Sequence, residues 1–229
     1  MVLFVRGFNT YMESNSDDHY ANFTNFFMMS EFSVIYFNYS PDEEINTVYK
    51  RLSNILDTHT YDILLAHSLG GGLLMKYITD HKDKVSGYEK IVYLMPLIVK
   101  TRLNDIISMI PLIEYVKLPK HLILPNNKLY HDGNVLNDNL RLIPIQQVVN
   151  FYRDYMNHID ITLINSSNST LVYASEEEFN VIDTQHLDAI KNKVFVSGKH
   201  ECFNELGHST AFFNALKQIL ITDQGSPNQ

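Results

Sequence analysis

Residues 62–72 constrain the fold of this chain more than any other stretch. They run Asp62, Ile63, Leu64, Leu65, Ala66, His67, Ser68, Leu69, Gly70, Gly71, Gly72. The apolar run that begins at Ile63 reads as a short buried strand that stops at a serine. A helical pattern starts at once: Leu69, Leu73 and Tyr77, with Leu74 and Ile78, fall on one apolar stripe that would pack onto a sheet. A strand that becomes a helix so abruptly needs a tight turn. A bulky side chain two places before or after the serine would crowd that turn, and those places hold Ala66 and Gly70. The turn holds the Ser68 hydroxyl away from the backbone, beside the free N–H groups of a helix start, where negative charge is stabilised.

The same strand–helix rhythm runs through the first 95 residues. Strands are expected at Val2–Val5, 34–38, Ile63–His67 and Lys90–Leu94, with helices at about 17–30, 42–57 and 69–80. Pro41 followed by Asp42, Glu43 and Glu44 reads as a helix start, since proline pre-sets the first turn and the acids oppose the helix dipole. Phe26, Phe27, Met28 and Met29 read as core. Pro96, Pro111, Pro119, Pro125 and Pro144 then interrupt the rhythm, and the polar span 126–139 reads as a loop. A helix is expected over 146–161. The alternation resumes with a strand at 170–174, a helix at 183–190, a strand at 194–196 and a closing helix over 209–221. Such alternation predicts one α/β domain, a six-stranded, mostly parallel sheet flanked by helices. The expected core is 1–96 plus 166–222, with a mostly helical or irregular cap insertion at 97–165 and a disordered tail at 223–229. In such sheets ligands bind at the carboxyl ends of strands, where Ser68 sits.

Composition narrows the class. At 229 residues, 45% of them hydrophobic, the chain can bury a substantial core. A formal charge of −8 and the absence of any dense basic run argue against nucleic acid as a partner. The longest apolar run, 91–99, falls well short of the ~20 residues a membrane-spanning helix needs. Cys202, the one cysteine, has no partner in the chain for a disulfide, which fits a reducing compartment. The first residues lack the basic start and cleavage site of a secretory signal. Asn-x-Ser/Thr matches such as those at Asn38, Asn165 and Asn168 are then chance features of an Asn-rich chain. The expectation is a cytoplasmic protein.

Ala66-x-Ser68-x-Gly70 is a near relative of the Gly-x-Ser-x-Gly nucleophile elbow and resembles the α/β-hydrolase family. The resemblance covers about residues 2–221, without the two leading strands of larger members. It implies that Ser68 is a nucleophile served by an acid and then a histidine, in that chain order. A serine hydroxyl attacks poorly until a neighbouring base takes its proton, and a carboxylate fixes that base's tautomer and steadies its cation. The acid is expected in the turn after strand 170–174, which holds Glu176, Glu177 and Glu178. In the family a hydrophobic residue often follows the acid three places later. Val181 suits Glu178 and Asn180 would follow Glu177, so Glu178 is favoured with Glu177 its rival. The bland alternative is that all three glutamates form a solvated helix start. The Gly207–His208 pair before the last helix implies His208 as base, and His200, nearer its strand, is the competitor. A metal site built from His200, Glu201, Cys202, Glu205 and His208 matches neither His-Glu-x-x-His nor paired-cysteine spacing.

For the oxyanion, the resemblance implies the backbone N–H groups of Leu69 and Phe8, with Gly7 allowing the bend. Arg6 stands where relatives commonly carry histidine. His67 points to the opposite side of its strand from Ser68 and reads as a packed or hydrogen-bonded residue. Cys202 reads as a quiet loop thiol. The apolar residues of 97–124 suit core or an acyl pocket. The implied activity is cleavage of a small-molecule carboxylic ester or thioester, with a lipid-like acyl group suggested by the apolar insertion. It would proceed through an acyl-enzyme, with no metal or organic cofactor. The alternative is a catalytically inactive relative that binds a small molecule or a protein partner.

Overall fold

A computed structural model describes residues 1–7, 20–40, 42–98, 117–119, 142–174, 184–198, 200–205 and 207–221. Its centre is a six-stranded sheet of β1 (Val2–Val5), β2 (Val34–Phe37), β3 (Ile63–His67), β4 (Lys90–Leu94), β7 (Ser169–Tyr173) and β8 (Lys193–Phe195). The spatial order is β2-β1-β3-β4-β7-β8 and every pairing is parallel. Parallel strands need helical crossovers that cover the sheet on both faces, so the inner strands read as largely apolar runs. The helices are α1 (Ala21–Met29), α2 (Ile45–Thr58), α3 (Leu69–Asp80), α4 (Gln146–Asp154), α5 (Thr184–Ala189) and α6 (Ser209–Ile221).

Alternation along each strand divides the core in two. Leu3, Val5, Leu64, Ala66, Ile91 and Tyr93 face α2, α3 and α4. Val2, Phe4, Ile63, Leu65, Val92 and Leu94 face α1 and α6. The second face is aromatic. The Phe23 ring centre lies 4.7 Å from Phe4, 4.9 Å from Phe203 and 5.1 Å from Phe213. Such pairs add about 0.5–1.5 kcal/mol each beyond the burial itself.

The differences from expectation have local causes. Helix α2 begins at Ile45 rather than 42, because the Glu43 carboxylate reaches back to accept from the Ser40 N–H at 3.2 Å and so lies ahead of the helix. The helix expected to reach residue 161 stops at Asp154 and breaks into 3₁₀ turns at Met156–His158 and Ile161–Asn165. There the Asp160 carboxylate accepts from the Thr162 N–H, drawing that donor away from a continuous helix. Met28 and Met29 are surface residues, 78% and 86% exposed, because Phe23 and Phe27 form the inward stripe of α1. The insertion contains a short antiparallel pair, β5 (Lys117–Pro119) and β6 (Leu142–Pro144). Its terminal prolines sit where a missing N–H does least harm to a ladder. The loop expected at 126–139, the apolar set of 97–124 apart from Leu97, Ile98 and 117–119, and the tail at 223–229 lie outside the described residues.

Helix α4, late in the insertion, packs into the same core. Phe151 and Tyr155 join the cluster around α2 and α3, and the buried Gln147 amide donates to the carbonyls of Ser40 (2.6 Å) and Glu43 (2.8 Å).

The chain reverses direction across the sheet at β1: β2 lies on one side of it, and β3 and all later strands on the other. In such a sheet the crevice for ligands opens between the carboxyl ends at the reversal. Here those ends are Gly7, after β1, and Ser68, after β3.

Candidate active site

Ser68 has φ 53° and ψ −123°, a conformation that is costly for a residue with a side chain, about 1–3 kcal/mol. Backbone bonds hold it there. Its N–H donates to the Leu94 carbonyl at 3.0 Å, and its own carbonyl accepts from Leu97 at 2.8 Å and from Gly72 at 3.2 Å, the last being the first turn of α3. Ser68 is the N-cap of α3, a position where serine commonly bonds a helix N–H through its side chain. Here it makes no such bond. Among the described residues the hydroxyl has no partner, and the first-turn N–H groups, Leu69 foremost, are not capped by it.

The elbow presses against the end of β1. A side-chain carbon on Gly70 would lie 2.3 Å from the Arg6 carbonyl oxygen and 2.6 Å from that of Val5. A side chain on Gly7 would meet the Ser68 Cβ at 3.1 Å. The loop expected to supply the second oxyanion donor therefore leaves the sheet beside Ser68. Phe8 itself lies outside the described residues.

His208 sits at the start of α6, half-buried, with Nδ1 3.0 Å from the Ser197 hydroxyl. Gly198, at φ 109°, makes the turn after β8. A side chain there would lie 2.7 Å from a Glu205 carboxylate oxygen, 2.8 Å from the Cys202 Cβ and 3.1 Å from the His208 Cγ. The competitor His200 is 8% exposed, its ring centre 4.9 Å from that of His67, and its carbonyl faces the His67 Nε2 at 3.3 Å. That contact joins the loop leading to His208 to the residue immediately before Ser68. Glu176, Glu177 and Glu178 lie outside the described residues. Ser197 and Glu205, both against His208 or the turn beneath it, carry no motif spacing that would have marked them in the sequence.

Solved structures match over nearly the whole chain. A monoacylglycerol lipase from Paleococcus ferrophilus superposes with a TM-score of 0.63 at 16% identity, covering 96% of this chain and 93% of its own. A soluble variant of monoglyceride lipase from Saccharomyces cerevisiae gives 0.65 at 14% identity, covering 96% and 86%. A methylesterase from Arabidopsis gives 0.58 at 15% identity, covering 96% and 98%. The chain has the α/β-hydrolase fold. No protein-family model matches it, and no curated protein matches it in sequence.

Arg6, the departure from the common histidine, is 2% exposed, with its guanidinium 5.0 Å from the Tyr20 ring centre and 4.7 Å from that of Tyr36. Among the described residues no group of three His, Cys, Asp or Glu side chains could hold a metal ion, and no helix is long and apolar enough to cross a membrane.

Cys202 is fully buried, and burial, helped by the Glu205 charge, pushes its thiol up to about 12. At pH 8 this lowers the thiolate fraction about a thousandfold relative to an ordinary thiol. The folded protein should therefore leave Ellman's reagent unreacted over a period in which the denatured chain titrates its single cysteine fully. Rapid reaction of the native protein would contradict the burial.

Proposed function

We propose that the protein is a serine hydrolase that cleaves a carboxylic ester or thioester through an acyl-enzyme. Ser68 carries the reading: a strained residue whose hydroxyl makes no cap bond, at a helix start and against the end of the neighbouring strand. In the proposed reaction the Ser68 oxygen attacks the carbonyl carbon while His208 takes the hydroxyl proton. Glu178, with Glu177 as its rival, orients His208 and stabilises its cation. The Leu69 and Phe8 N–H groups hold the oxyanion. Collapse expels the alcohol or thiol, protonated by His208, and leaves the acyl group on Ser68. Water, deprotonated by His208, then releases the acid.

The lipases and methylesterase of the same fold support ester bonds as the substrate class, and a thioesterase domain among its structural neighbours keeps thioesters in it. The apolar insertion supports a lipophilic acyl group. A lone buried thiol fits work in a reducing compartment such as the cytoplasm. One observation favours a second reading, a non-catalytic binder: Arg6, where relatives commonly carry histidine, is committed to two tyrosine rings.

A fluorophosphonate probe separates the two. A hydrolase takes one covalent adduct on the peptide containing Ser68 and hydrolyses nitrophenyl esters, with kcat/KM rising from acetate to octanoate if the acyl group is lipophilic. Absence of both adduct and hydrolysis would establish the binder.

A further inference from the structure

Beneath Ser68 lies a buried polar relay for which the proposed reaction has no role. The Gly7 N–H is 2.9 Å from the Tyr20 Oη, that oxygen is 2.7 Å from His67 Nδ1, and His67 Nε2 is 3.3 Å from the His200 carbonyl oxygen. With His67 neutral, one proton assignment satisfies all three contacts. An amide N–H only donates, so the Tyr20 oxygen accepts from Gly7 and its own proton goes to Nδ1. A neutral imidazole that accepts at Nδ1 carries its proton on Nε2, and that proton faces a carbonyl, which only accepts.

We propose that Tyr20 and His67 are positioning residues that tie the strand-end loops on either side of Ser68, the one leading to Phe8 and the one leading to His208, to the elbow itself. The inference rests on the serine-hydrolase reading. Its geometry is compact: a carbon placed on Gly7 would lie 2.9 Å from His67 Nδ1, 3.1 Å from the Tyr20 hydroxyl and 3.1 Å from the Ser68 Cβ. Gly7 is one residue ahead of the expected oxyanion donor, so fixing its amide constrains the approach to that donor. His200 begins the stretch that leads to His208.

The relay cannot easily rearrange. Tyr20 is fully buried and His67 is 2% exposed. The Tyr20 ring stacks on Phe203 at 5.6 Å, meets Phe4 edge-on at 5.1 Å and carries the Arg6 guanidinium 5.0 Å from its centre. Phe203 also meets the His67 ring edge-on at 5.1 Å. Arg6 thereby acquires a role suited to this chain: it clamps the tyrosine whose hydroxyl holds the next residue's amide.

The experiment compares Tyr20→Phe with the wild type in nitrophenyl ester hydrolysis and in the rate of fluorophosphonate labelling at Ser68. Tyr20→Phe keeps the ring and removes the relay's central oxygen. Misplacing one oxyanion donor should lower kcat about 10²-fold, with KM within about twofold and the labelling rate falling in parallel. His67→Gln keeps an acceptor and a donor and should retain most of kcat, whereas His67→Leu, with neither, should match Tyr20→Phe. The glutamine–leucine comparison decides the matter even if Tyr20→Phe does not fold. Wild-type kcat and labelling rate in Tyr20→Phe, or equal activities in the Gln and Leu variants, overturn the positioning role. A wild type that takes no label at Ser68 overturns the hydrolase reading instead.

Discussion

Ser68→Ala and His208→Ala should each lower kcat/KM for a nitrophenyl ester by about 10⁴-fold or more, and the double variant should be scarcely worse than either. In the proposed mechanism nucleophile and base act as one unit: without the imidazole the hydroxyl keeps its proton, and without the hydroxyl the imidazole has nothing to activate. Residual rate over water would come from the oxyanion donors and from binding. His200→Ala is the discriminating control. The substitution removes the ring contact of His200 with His67 but leaves in place the backbone carbonyl that faces His67 Nε2. Its effect should therefore be far smaller than that of His208→Ala. Full activity in His208→Ala combined with its loss in His200→Ala would exchange the two assignments.

Gly70→Ala should damage fold and activity together. The added methyl would sit 2.3 Å from the Arg6 carbonyl oxygen and 2.6 Å from that of Val5, and both atoms belong to the backbone at the end of an interior strand. No rotamer change relieves such a contact. Either α3 lifts off β1 or the strand end bends, and both open the crevice beside Ser68. Overpacking of this kind costs about 1–3 kcal/mol, read as a lower urea midpoint at an unchanged slope. Fluorophosphonate labelling should slow at the same time. Gly87→Ala is the matched control, since a methyl there meets nothing within 4 Å, and it should leave both readouts unchanged. If Gly70→Ala behaved like Gly87→Ala, the close approach of elbow and strand would be wrong.

The parts of this architecture that were legible in the sequence obey local rules. Val2–Val5, Ile63–His67 and Lys90–Leu94 are strands as expected, because a strand covered on both faces reads as a nearly continuous apolar run, broken here only at the ends by His67 and Lys90. Helix α3 follows from the stripe on Leu69, Leu73 and Tyr77. Strands β7 and β8 sit one residue earlier than expected, because each opens on a polar residue, Ser169 and Lys193, that carries no apolar signal. Met28 and Met29 are apolar and yet face water, which composition alone could not distinguish from core. The β5–β6 pair is too short to show alternation. Of the site, the strand-end serine and the histidine before the last helix stood out, as single residues at junctions do. The relay through Tyr20 did not: its partners lie 13 and 47 residues away in the chain, and only the folded sheet brings them to one point. The acid at Glu178 remains an inference from its place after β7.

Strand β4 is bonded directly to β7, although residues 95–168 intervene. Both ends of that excursion are pinned. Leu97 donates to the Ser68 carbonyl at its start, and α4 is locked into the core near its finish. The entropy of closing a loop grows only with the logarithm of its length, so doubling the span between such anchors costs about 0.6 kcal/mol. Insertions or exchanges between residues 99 and 141 would thus burden the sheet very little. Descendants of this chain are free to lengthen, shorten or replace that one stretch while the six strands that bear it keep their order and pairing.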